Sequence, residues 1–136
     1  MTSQLDALRE MTVVVADTGD IDAVRKLKPT DCTTNPSIVL KAMDIAEFAP
    51  TIDAALEWGK TAPGNLETRL NAVGDRLATA VGALLSGLVP GRVSTEVDAS
   101  LSFDTAGSVK RARAIIADYA TMGVDRSRVL VKLAAT

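Results

Sequence analysis

The alternation of apolar and polar positions divides the chain into strand-length runs and longer helical stretches. TVVVAD (12–17) is a β-branched run of strand length, closed by the turn at Thr18-Gly19. DCTTN (31–35) predicts a second strand, ended by Pro36, which is suited to open a helix over SIVLKAM. RVSTEVD (92–98) and RVLVKLAA (128–135) predict the third and fourth strands. Elsewhere the period is helical. Phe48, Ile52, Ala55, Leu56 and Gly59 share one face. Leu66, Leu70, Val73, Leu77, Val81, Leu84, Leu85 and Leu88 keep the same spacing until Pro90-Gly91 stop it. Val109, Ala112, Ile116, Tyr119 and Ala120 mark another helix, capped by Asp104 and ended by Gly123. Ser3 with Asp6 is a capping-box pattern for a short first helix, and Asp20 is an N-cap for one running through Leu27.

Strands separated by helices predict right-handed crossovers and a mainly parallel α/β sheet. The unbroken runs VVVA and VLV suit parallel strands covered on both faces. A single domain spanning 1–136 is the expected organisation, with no internal repeat, low-complexity tract or flexible linker.

Composition narrows the function classes. The formal charge is only −2, and no Lys/Arg-rich segment points to nucleic acid. The apolar stretches fall far short of the roughly 18 residues of a membrane span, and MTSQLDALRE lacks the basic and apolar regions of a signal peptide. The lone cysteine, Cys32, rules out an internal disulfide and suits a reducing compartment, so a cytoplasmic location is expected. The chain has no histidine. Acid–base work must therefore fall to Asp, Glu, Lys or Tyr.

Side chains alternate across a strand, so each run splits into two faces. Asp17 shares a face with Val13 and Val15, Thr33 and Asn35 with Asp31, Glu96 and Asp98 with Ser94, and Lys132 with Leu130 and Ala134. Each run thus carries a polar group in its second half, and in parallel α/β architectures the C-terminal strand ends form the active site. Taken singly these residues have plainer explanations. A strand lysine is commonly an edge residue that blocks aggregation, and Asp17, Asn35 and Asp98 suit local turns. Glu96 is less easily dismissed, because glutamate is depleted from strand interiors. Together, Asp17, Thr33, Asn35, Glu96 and Lys132 select the same half of four strands. If Lys132 faces a covered interior, desolvation favours the neutral amine, a carbonyl nucleophile that forms Schiff bases. The carboxylates of Asp17 and Glu96 push the other way, and the same chemistry needs them for proton transfers.

VVVADTG also resembles the aspartic protease signature at Asp17-Thr18-Gly19, but those proteases are almost all β and the middle of this chain reads as long helices. A more extensive resemblance is carried by VVADTGD (14–20), TTNPSIV (33–39), VPGRVSTEVDA (89–99) followed by LSFDT, and VLVKLAAT (129–136). In order and spacing these motifs resemble the N-terminal half of classical transaldolases. The resemblance implies a TIM-barrel-like (β/α)8 fold, of which four strands, about half, are present. It implies transfer of a dihydroxyacetone unit from sedoheptulose 7-phosphate to glyceraldehyde 3-phosphate, in the non-oxidative pentose phosphate pathway, with neither metal nor organic cofactor. It also implies that Lys132 is the Schiff-base lysine, Asp17 assists deprotonation of the C4 hydroxyl, and Glu96 acts through a water around the carbinolamine. Thr33 and Asn35 would line the substrate site.

Barrels of this kind need about 250 residues, so a truncated half-barrel is expected. Its open edges favour a homo-oligomer or a complementing second half-barrel. Two functions follow as alternatives: an enzyme acting on sugar phosphates, or a catalytically silent half-barrel that only self-associates.

Overall fold

The computed structural model describes residues 3–134. Four parallel strands form one sheet in sequential order: β1 (Val15–Ala16), β2 (Asp31–Thr33), β3 (Val93–Glu96) and β4 (Val129–Lys132). Helices α1 (Gln4–Met11), α2 (Ile21–Leu27), α3 (Pro36–Ala42), α4 (Ala49–Thr61), α5 (Leu66–Ser86) and α6 (Thr105–Thr121) precede, connect or cover them. The architecture is α/β, with the sheet open rather than closed on itself. The paired strands are shorter than the apolar runs that announce them. The first keeps two ladder residues of the expected six. The last two residues of VLVKLAAT lie outside the described residues.

Helix boundaries follow local chemistry. Ser3 and Asp6 form the reciprocal capping box of α1. Asp20, Asn35, Asn65 and Asp104 each accept a backbone N–H at the start of a helix. Past the end of α6, Gly123 takes a φ of +78°, the left-handed conformation a glycine adopts without strain.

One face of the sheet is covered by helices. Cys32, Thr34, Val93, Thr95, Val97 and Val129 point into it and are buried, against Val81 and Leu85 of α5 and Ile115 and Tyr119 of α6. Burying each such aliphatic side chain contributes roughly 1.5–3 kcal/mol. Arg128 ties the base of β4 to the end of α5 by donating to the carbonyls of Ser86, Val89 and Gly91. Among the described residues nothing covers the opposite face, so the expected two-sided burial does not hold. Val13, Val15 and Leu130 stand there 57, 48 and 39% exposed.

The apolar face of α5 is also only partly buried. A helix of 21 residues is about 31 Å long, whereas a strand of four residues spans about 13 Å. Its first turns therefore overhang the C-terminal rim of the sheet. Leu66 and Leu70 are exposed there, while Leu77, Val81 and Leu85 are buried.

Candidate active site

The open face of the sheet carries the polar residues that strand alternation grouped together. Lys132 and Glu96 are directly opposite partners in the β3–β4 register, and the lysine Nζ lies 3.1 Å from Glu96 Oε2. The same Nζ is 3.4 Å from Thr33 Oγ1 on β2, a long contact in which the ammonium donates. Thr33 belongs to β2, which β3 separates from the strand of Lys132, so the contact reaches across an intervening strand. Three strands thus contribute one side chain each to a single cluster at the C-terminal rim.

Asp17 and Asn35 form a second pair beside it. Asn35 Nδ2 donates to Asp17 Oδ1 at 3.5 Å, while its Oδ1 accepts from the Ile38 N–H at 2.9 Å and caps α3. The cap fixes the amide's orientation, which presents the NH2 group to Asp17. No ion pair joins Asp17 to Lys132, so the two acids expected beside the amine are divided: Glu96 touches it and Asp17 does not.

The enclosure expected around the amine is also absent. The Lys132 side chain keeps 38% of its surface exposed and Glu96 keeps 24%, because nothing among the described residues caps the open face. Asp98 serves locally: its carboxylate accepts from the Ser100 N–H at 2.7 Å, and the hydrogen bonding of Ser100 holds its pKa below the usual range. It is the turn residue that its position suggested.

A cleft of about 400 Å³ opens where α3 and the overhanging start of α5 meet the rim. Asn35 and Glu96 line it together with Val39, Leu70, Asp98 and Arg111. Arg111 had no sequence signal as a rim residue. It reaches this position by pairing with Asp75 across α5 and α6, a contact between residues far apart in the chain.

Comparison with known proteins bears on the same residues. The profile of the Transaldolase/Fructose-6-phosphate aldolase family matches residues 14–136, which includes every strand and the whole rim. The chain belongs to that family. Along its entire length it is 64% identical to a transaldolase of Rhizobium etli (strain CIAT 652), covering 42% of that protein. It is 63% identical to a transaldolase of Rhizobium rhizogenes, again over 42% of the relative. A transaldolase of Alteromonas mediterranea is 49% identical, with 43% covered. The chain therefore spans about two fifths of the length of the curated relatives it matches. Family membership removes the aspartic protease reading of Asp17-Thr18-Gly19.

Proposed function

We propose that the chain, 1–136, is a single domain supplying the first four strands of a transaldolase-type (β/α)8 barrel, with Lys132 as its Schiff-base nucleophile. The observation that carries this reading is the contact of one lysine with both Glu96 and Thr33 on the open sheet face.

The Lys132 amine attacks the C2 ketone of sedoheptulose 7-phosphate, and the carbinolamine loses water to give a protonated imine. Glu96, 3.1 Å from the amine, shuttles the protons of that dehydration through a water. Asp17 takes the proton of the C4 hydroxyl. The C3–C4 bond breaks, its electron pair passing to the iminium, and erythrose 4-phosphate leaves. The enamine then adds to the aldehyde of glyceraldehyde 3-phosphate, Asp17 returning its proton to the new C4 oxygen, and hydrolysis releases fructose 6-phosphate and the free amine. Thr33 and Asn35 line the donor site. The partners of this reading are sugar phosphates, not nucleic acid or membrane, in the cytoplasm. No helix among the described residues is long and apolar enough to cross a membrane.

Borohydride reduction in the presence of fructose 6-phosphate, followed by peptide mass spectrometry, tests the assignment. A glycerol-type adduct confined to Lys132 supports it. An unchanged adduct yield in Lys132→Ala refutes it.

A second reading is a catalytically silent half-barrel that only self-associates, and the exposed Val13, Val15 and Leu130 favour it. A homo-oligomer or a complementing half-barrel would cover this face. Native mass spectrometry of a dilution series, with no adduct at Lys132, distinguishes this from the enzymatic reading.

A further inference from the structure

Behind the lysine cluster, on the helix-covered face, three buried hydroxyls form a chain. Tyr119 of α6 and Thr95 of β3 share a short hydrogen bond. Thr95 Oγ1 lies 3.3 Å from Thr34 Oγ1, and Thr34 Oγ1 lies 3.3 Å from the carbonyl oxygen of Ser94. Tyr119 and Thr95 are fully buried and Thr34 is 1% exposed, so bulk solvent reaches none of them.

Each hydroxyl has one proton to donate. The Tyr119–Thr95 bond runs from Tyr119 to Thr95, while Thr34 Oγ1 shares its proton between Thr95 Oγ1 and the Ser94 carbonyl, so Thr95 Oγ1 accepts from both neighbours and joins them. Reversing the first bond would leave the tyrosine proton buried without an acceptor in the chain, a loss of about 1–3 kcal/mol. Burial holds the phenol well above its ordinary pKa, which keeps that proton in place. Gly82 of α5 makes room for the arrangement, since any Cβ there would collide with the Tyr119 hydroxyl.

The chain ends where the candidate chemistry begins. Thr34 lies between Thr33 and Asn35, and Thr95 immediately precedes Glu96. A strand presents consecutive side chains to opposite faces, so fixing Thr34 and Thr95 from behind fixes Thr33 and Glu96 in front. Two backbone bonds flank the cluster: Thr34 N–H to Ser94 O at 2.8 Å, and Val97 N–H to Lys132 O at 2.9 Å.

We propose that Tyr119 is a positioning residue, whose hydroxyl acts through Thr95 and Thr34 to hold Thr33 and Glu96 against Lys132. The catalytic half of this inference rests on Lys132 being the nucleophile, whereas the geometric half does not.

The test uses the full chain with Tyr119→Phe, Thr95→Val and Thr95→Ser. Two readouts are taken. The first is the borohydride-trapped adduct of dihydroxyacetone at Lys132, divided by that at exposed Lys110 in the same sample. The second is amide hydrogen exchange at Thr34 and Val97, relative to the core amides of Val81 and Leu85. Tyr119→Phe and Thr95→Val are expected to lower the adduct ratio about tenfold, as misplacement of reacting groups does. They are also expected to speed exchange selectively at Thr34 and Val97. Thr95→Ser, which keeps the hydroxyl, is expected to retain both wild-type values. If all amides speed up equally, or if Thr95→Ser behaves like Thr95→Val, the hydroxyl chain is core filling and the inference is overturned. If wild-type protein shows no preference for Lys132 but the exchange pattern is as expected, the nucleophile assignment fails and the positioning stands.

Discussion

Lys132 and Glu96 face each other across β3 and β4 as Cα partners, with Nζ and Oε2 3.1 Å apart. Their meeting is therefore fixed by strand register rather than by two mobile side chains finding one another. A slip of one residue in either strand would send that strand's member of the pair to the helix-covered face. Because both remain partly exposed, the ion pair itself adds only about 0.2–1 kcal/mol to stability.

Chemistry and stability should consequently separate at this pair. Glu96→Gln keeps the shape but removes the proton acceptor beside the amine. Adduct formation at Lys132 with fructose 6-phosphate is expected to slow roughly 100-fold, the lower range for loss of a general acid–base group. The urea midpoint should move little. A Glu96→Gln chain that forms adduct at the wild-type rate would remove Glu96 from the mechanism.

Two glycines of α5 should respond oppositely to the same substitution. A Cβ at Gly82 would run into the Tyr119 hydroxyl and crowd Thr95 Oγ1, whereas one at Gly74 meets nothing within 4 Å. Gly82→Ala is expected to destabilise by about 1–3 kcal/mol through overpacking. Gly74→Ala should stabilise by up to about 1 kcal/mol, because alanine restricts the unfolded chain and suits a helix interior. Urea unfolding of the two variants checks both signs.

What the sequence revealed, and what it concealed, follows from the range of each interaction. Caps at Ser3, Asp20 and Asp104 were legible because cap and helix lie within three residues. The period of α5 was legible too, but not which turns would be buried. That depends on the short strands beneath it, so Leu66 and Leu70 are exposed despite continuing the apolar face. Strand alternation grouped Thr33, Glu96 and Lys132 correctly because it needs no knowledge of pairing partners. It could not show that Asp17 would meet Asn35 instead of the lysine. The hydroxyl chain was hidden for a related reason. Thr34 and Thr95 read as ordinary strand residues and Tyr119 as one apolar position among several, and their hydrogen bonds join residues 24 and 61 positions apart. The apolar run VVVA suggested cover on both faces, but Val13 and Val15 point to the open one.

Cys32 should resist alkylation in the folded chain. Its side chain is fully buried, and burial, reinforced by the charge of Asp31, pushes the thiol up to about 11 from 9.0. The reactive species is the thiolate, so at pH 8.5 iodoacetamide should label the folded protein at least about tenfold more slowly than the urea-unfolded chain. The same shift has a stability consequence. Between pH 9 and 11 the unfolded thiol loses its proton while the folded one keeps it, so the unfolded state binds fewer protons and stability falls as pH rises. A Cys32→Ala chain should lose less stability than wild type across that interval. Equal slopes in the two proteins would remove the thiol as the cause.

Asp118 should matter more than its position near the surface suggests. Its carboxylate accepts from Arg76 and from the Thr79 hydroxyl, joining α6 to α5 at one point, and the Arg76 guanidinium lies 5.5 Å from the centre of the Trp58 ring on α4. Arg76 and Asp118 are only 21 and 24% exposed, and Thr79 is 1% exposed. Asp118→Asn can still accept from Thr79 but leaves the guanidinium without its counter-charge. The expected cost is about 1.5–3 kcal/mol, the range of a hydrogen bond to a charged group. Asp22 also pairs with an arginine, Arg25, but at 3.6 Å and with 88% of its side chain exposed. Asp22→Asn should leave the unfolding midpoint unchanged, as exposed pairs commonly contribute nothing measurable. Because Arg76 connects three helices, an Asp118→Asn, Arg76→Gln double-mutant cycle should give a coupling energy well above that of the Asp22–Arg25 pair. Equal couplings would mean that the Arg76–Asp118 pair adds nothing to an α5–α6 contact already held by its apolar packing and the Arg111–Asp75 pair.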